Sequence, residues 1–225
     1  MSRQSIRYRK LLPRIIIPVL ALSLSISADA ATSTATPKAG EYCPAQDIRL
    51  VIAEGLSTSL DLAMRSRAAL LDKDQALATS ELTASDTVLH LAASRGAAAR
   101  TSLLIDTVIE SMVKNPYSRT LTWFPLLQTS LMTLPYDPTV SAADDLIGNA
   151  EDIMQGDKEG DPMISLKDAR HMLACDKLDI PLQQAITEED KLASTLGVNT
   201  KVSAYDDLLD SLHRALTYVL ENSKT

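Results

Sequence analysis

Two cysteines, three histidines and a few acid-rich turns are the residues of this 225-residue chain whose types could do chemistry. Cys43 and Cys175 form an even pair, and in an oxidising compartment such a pair reads first as a disulfide. A bridge would tie the N-terminal arm to the end of a late helix and close a long loop, an effect of about 4–5 kcal/mol by chain entropy. His90, His171 and His213 fall on separate predicted helices, and none has the His-x-x-x-His or Glu-flanked spacing that zinc sites use. Asp157-Lys158-Glu159-Gly160-Asp161 opens like a calcium loop, with Asp168 at its twelfth position. The sixth position, where the sharp turn needs glycine, is Pro162. The segment therefore reads as a solvated turn, and no metal is expected.

The acid pairs Asp144-Asp145, Glu188-Glu189 and Asp206-Asp207 are placed near predicted helix starts, where carboxylates offset the helix dipole and cap free N–H groups. Adjacent acids on a helix point about 100° apart, so they do not form a glycosidase pair. The chain has no Gly-x-Ser-x-Gly elbow, Ser-x-x-Lys motif, Walker loop or Gly-x-Gly-x-x-Gly loop. The expected protein is therefore non-enzymatic and carries no cofactor.

One segment is rich in recognition chemistry. Residues 116–138 contain Pro116, Pro125, Pro135 and Pro138, together with the single Trp and single Phe. Tyr117, Trp123, Phe124 and Tyr136 make the candidate binding surface, because Trp and Tyr supply rigid, amphipathic contact area. The competing expectation is that Trp123 and Phe124 fill a gap between helix pairs.

The elements that position these residues are helices. Aromatics make up only 4% of the chain, and Ala and Leu abound. Residues Gln46–Leu71 carry a stripe of Ile48, Val51, Ile52, Leu56, Leu60, Ala63, Met64 and Ala68 at three- and four-residue steps. After an Asp72-Lys73-Asp74 turn, a second helix covers Gln75 to Ala93, and Gly96 punctuates its end. Val140–Gln155 and Met163–Cys175 form a second helix-turn-helix across a Gly156-to-Pro162 turn. Leu182–Leu196 and Val202–Asn222 form a third across Gly197–Lys201. Leu103-Leu104-Ile105 and Val108-Ile109 suggest a further helix or a buried segment, and the prolines that follow exclude one continuous helix through 116–138. The expected fold is all-α: an irregular helical bundle of about three helix-turn-helix pairs sharing one core, with a Pro/aromatic-rich irregular segment between the first and second. The unequal spacing of the pairs argues against a regular tetratricopeptide array.

The start of the chain sets the compartment. Arg3, Arg7, Arg9, Lys10 and Arg14 precede an apolar run from Ile15 to Ile26, which is short for a membrane span. Ala28-Asp29-Ala30 supplies a small-x-small cleavage site. The expected organisation is a signal peptide at 1–30, a flexible lead-in at 31–45 and one helical domain at 46–223, in the periplasm with no stable membrane anchor. Removing 1–30 takes away five basic groups and one acid, moving the net charge from −7 to −11. So acidic a domain, lacking a dense Lys/Arg cluster, excludes nucleic acid as an expected partner and disfavours an anionic membrane surface.

The helical map resembles the YfdX family of exported, all-helical bacterial proteins linked to stress and acid resistance. Ala143–Met154 followed by Gln155-Gly156-Asp157-Lys158-Glu159-Gly160 is similar to that family's helix and Gly-Asp-Lys turn. Leu166–Leu173 and Ile180-Pro181-Leu182-Gln183-Gln184-Ala185 resemble its next helix and a Pro-Leu step. Gly55–Leu71 and Asp74–Leu89 are similar to its opening pair. The cysteine pair, and Pro162 where the family has Ala, depart from that pattern. The resemblance implies a stress-associated binding protein, holdase-like towards protein clients, and supplies no catalytic residue. The alternative expectation is an immunity or inhibitor protein that plugs one toxin or enzyme. Wide apolar stripes are also compatible with a homo-oligomer.

Overall fold

A computed structural model describes residues 36–196 and 200–223. The expected signal peptide, its cleavage site, the first part of the lead-in and Gly197–Asn199 of the third turn lie outside the described residues. Among the described residues every regular element is helical, apart from one antiparallel bridge between Glu41 and Cys175.

Helix α1 spans Gln46–Leu71 and α2 spans Gln75–Ala93, at the bounds the apolar periodicity predicts. The side chain of Asp74 caps α2 by accepting from the Leu77 N–H at 3.0 Å. The helices pack closely because small residues line their contact. A Cβ added at Gly55 would sit 2.9 Å from the Cβ of Ala92, and Ser59 meets Ser85 across the same seam.

Next come α3 (Ala97–Lys114), the one-turn α4 (Tyr117–Thr120), a 3₁₀ turn at Leu121–Trp123 and α5 (Phe124–Leu131). Prolines 116 and 125 sit at helix starts, where a missing N–H costs little.

Helices α6 (Pro138–Gln155) and α7 (Pro162–Met172) begin by the same device. An aspartate N-cap, Asp137 or Asp161, accepts from the backbone N–H two residues on, and a proline occupies the first helical position. These caps start both helices earlier than the apolar pattern alone suggests. Gly156 ends α6 in the left-handed region at φ 88°. The Gly156 N–H donates to Ile153 O and the Asp157 N–H to Asp152 O, a Schellman closure.

Helix α8 spans Asp176–Thr195 and encloses Pro181, so it starts six residues before the expected Leu182. The carboxylate of Asp179 reaches back to the Cys175 N–H at 2.8 Å and secures this early start. Proline's fixed φ suits a helix, and its missing donor removes one backbone bond. A 3₁₀ turn at Val202–Ala204 leads into α9 (Tyr205–Asn222). Asp206 and Asp207 lie in the first turn of α9, as expected of dipole-compensating acids.

The expected single core is two cores. Helices α1, α2, α8 and α9 close a four-helix ring in which each packs on two others. Its core includes Ile52, Leu56, Leu82, Leu182, Leu208 and Leu212. Helices α3, α5, α6 and α7 build the second around Ile105, Val108, Phe124, Ile147 and Leu166. The outer helix pairs of the sequence join one another, and the middle pair takes α3 and α5 as partners. Local periodicity marks which face of a helix is buried and carries nothing about which partner buries it.

Candidate functional site

Cys43 and Cys175 are joined, with Cα atoms 4.6 Å apart and a separation of 132 positions in sequence. The arm preceding Cys43 is held by the backbone as well. The Gly40 N–H donates to His171 O, the Asp176 N–H to Gly40 O and the Tyr42 N–H to Ala174 O, all at 2.9–3.0 Å. Gly40 has φ 75°, and a Cβ there would strike the carboxylate of Asp176. Only glycine fits this crossing. Tyr218 of α9 places its hydroxyl 3.3 Å from the sulfur of Cys43 and 3.4 Å from that of Cys175.

Beside this clamp lies a cleft of about 900 Å³. It is lined by the N-terminal half of α1, the end of α2, the start of α3, the Leu134-Pro135 link and the α7–α8 junction. Ile48, Ile52, Leu103, Leu178, Leu182 and Ile186 give it apolar walls, and the disulfide lines it as well. This volume falls in the range of small-molecule sites, about 300–1,000 Å³.

The charges around the cleft are unevenly matched. Arg170 pairs with Asp106 at 2.7 Å, and His90 with Asp86 at 3.3 Å. Burial raises the pKa of Asp179, opposed by its hydrogen bond from the Cys175 N–H and by the charge of Arg170, while Asp176 adds to the rise. Arg95 and Arg100 also line the cleft, are exposed, and have no ion-pair partner among the described residues. Between them the first turn of α3 begins at Gly96 without a side-chain cap. A more open groove of about 620 Å³ is lined mainly by α8 and α9, and several of its polar side chains pair locally, as Arg214 does with Asp210 and His171 with Asp176.

The four-helix core holds a second unusual feature. Ser66 donates to Ala78 O at 2.6 Å and accepts from the Tyr205 hydroxyl at 2.7 Å. Ser85 donates to Ser59 O at 3.1 Å, with the two serine hydroxyls 2.9 Å apart. Glu189 is 0% exposed, and neither carboxylate oxygen has a hydrogen-bond partner among the described residues. Burial pushes its pKa up to about 7. Ser85 pulls the other way, and the charges of Asp86 and Asp190 add to the rise. The Ser85 hydroxyl proton is itself donated to Ser59 O. Neither Glu188-Glu189 nor Asp144-Asp145 sits at a helix start, because both pairs lie inside their helices, α8 and α6. The sequence does carry its signature: Glu189 continues the stripe Leu178, Leu182, Ala185, Leu192 at steps of three and four.

The four aromatic candidates separate. Phe124 is fully buried in the second core and drops out of any binding surface. Tyr117 and Trp123 are exposed at 43% and 38%, and Tyr136 is almost bare at 97%. None of the four lines the cleft. The three histidines lie on α2, α7 and α9, and among the described residues no group of His, Cys, Asp and Glu is arranged to hold a metal. No described helix is long and apolar enough to cross a membrane.

Comparison with family models, with curated proteins and with solved structures finds no match to this chain.

Proposed function

We propose that the protein is an exported, non-enzymatic binding protein of the stress-associated YfdX type. It takes up apolar groups of other molecules, including side chains of protein clients, in the cleft between its two cores. The observation that carries this reading is the cleft itself: about 900 Å³ of largely apolar wall beside a disulfide clamp. The disulfide fits an oxidising compartment such as the periplasm, and the arginine-rich, apolar leader fits export. Acid conditions suit the fold in two ways. Falling pH removes self-repulsion from a chain with net charge −7, and it neutralises the buried Glu189.

The test is aggregation of a reduced, unfolding client at pH 7 and pH 5, with the oxidised protein and with an Ala98→Trp variant that fills the cleft from the first turn of α3. The expected result is suppression by the parent, stronger at pH 5, and its loss in the variant. Equal suppression by both, or none by either, contradicts the reading.

A second reading is favoured by the exposure of Tyr136, Trp123 and Tyr117. As an immunity or inhibitor protein, the chain would use these aromatics against one partner. Tight one-to-one capture, abolished by Trp123→Ala and indifferent to Ala98→Trp, is the result that selects it.

A further inference from the structure

We propose that the cleft is a site for a single-chain carboxylate amphiphile, a free long-chain fatty acid, whose head group meets Arg95 and Arg100. This rests on the cleft being the binding site and names the chemistry it selects. The walls set the first requirement. Ile48, Ile52, Leu103, Leu178, Leu182 and Ile186 offer almost no polar partners. A polymethylene chain suits them because it brings no backbone donors or acceptors, which are costly to bury unpaired.

Charge sets the second requirement. In a chain of net charge −7, Arg95 and Arg100 line this cleft, are exposed and have no ion-pair partner among the described residues. The neighbouring charges are already engaged: Arg170 with Asp106 at 2.7 Å, Asp179 with the Cys175 N–H at 2.8 Å. A carboxylate therefore finds two unengaged guanidinium groups, each able to bind it through two parallel hydrogen bonds. The uncapped first turn of α3 lies between them and adds to the positive potential. One head group and one chain match this arrangement, and a two-chain phospholipid in a bilayer would have to leave it.

The experiment is calorimetric titration of the full-length, oxidised protein with dodecanoate, decanoate, dodecanol and dodecyltrimethylammonium, each below its micellar concentration, and with phosphatidylglycerol vesicles. Dodecanoate is expected to bind one to one and about tenfold tighter than dodecanol, the gain of a charge-assisted contact. Loss of two methylenes in decanoate weakens binding by about tenfold. The Arg95→Gln/Arg100→Gln variant brings dodecanoate down to the level of dodecanol and leaves dodecanol unchanged. Dodecanoate no tighter than dodecanol, or unaffected by the substitutions, overturns the head-group assignment while the apolar cleft stands. Vesicle binding without dodecanoate binding overturns it in favour of a membrane surface. Failure of every single-chain probe removes the cleft reading along with it.

Discussion

Replacing Glu189 by Gln removes a buried charge and nearly preserves shape, so its effect on stability must depend on pH in a defined way. In the folded protein the carboxyl has a pKa of about 7, against an ordinary value of 4.5. A raised carboxylate pKa means that between these values the folded state holds a proton that the unfolded state has lost. Stability from this group is therefore fully present below about pH 4.5 and is lost as pH rises through 7. The window is about 2.5 pH units, equivalent to roughly 3 kcal/mol at 1.36 kcal/mol per unit. Glu189 is wholly buried, so solvent screening takes little from this figure, and any water reaching the carboxyl makes it an upper value. Gln brings its own unsatisfied amide, at a cost that does not vary with pH. The quantity to measure is thus the difference between parent and Glu189→Gln, obtained from urea unfolding at pH 5 and pH 8. Because pH 5 already lies inside the window, it should move by about 2.5 kcal/mol in favour of Gln at pH 8, or about 5–10 °C in relative Tm for a domain of this size. A difference equal at both pH values refutes the reasoning. It would mean that the carboxyl is solvated or hydrogen-bonded in solution and is ionised throughout.

Three further outcomes follow from the packing. Cys43→Ser/Cys175→Ser releases a loop with 132 residues of separation and should lower unfolding free energy by about 3–5 kcal/mol, measured by chemical denaturation with and without reductant. Phe124→Ala empties a filled site in the second core and should cost about 3–5 kcal/mol, whereas Trp123→Ala, on an exposed side chain, should stay within about 1 kcal/mol; equal effects in thermal melts would contradict the two environments. Gly55→Leu forces apart α1 and α2 where even a Cβ lies 2.9 Å from Ala92, and should destabilise by at least about 1–3 kcal/mol, read as a lower urea midpoint.

How much of this was legible in the sequence varies with the range of the interaction involved. The bounds of α1 and α2 follow from their apolar stripes and the Asp72-Lys73-Asp74 turn, and the structure reproduces them. The cysteine pairing was readable because there were only two to join. The helix starts at Pro138, Pro162 and Asp176 precede those the apolar pattern predicts, because the prolines serve as first-turn residues or lie inside the helix. Glu189 is legible as a charge on an apolar stripe, a signal that its neighbour Glu188 masks by suggesting a capping pair. The cleft was not readable at all. It exists because the outer helix pairs join each other and leave the middle helices to form a second core, and that choice depends on long-range packing. Phe124 and Trp123 illustrate the same limit: adjacent aromatics, one wholly buried and one exposed, distinguished only by the direction each side chain takes from the turn into α5.

The most direct test of the central claim is methyl chemical-shift mapping of the oxidised protein titrated with dodecanol, an uncharged apolar probe. Saturable shifts at Ile48, Leu103, Leu178, Leu182 and Ile186, the lining of the cleft, are the predicted result. Shifts confined to the surroundings of Trp123 and Tyr136, or no saturable shifts at all, would contradict it.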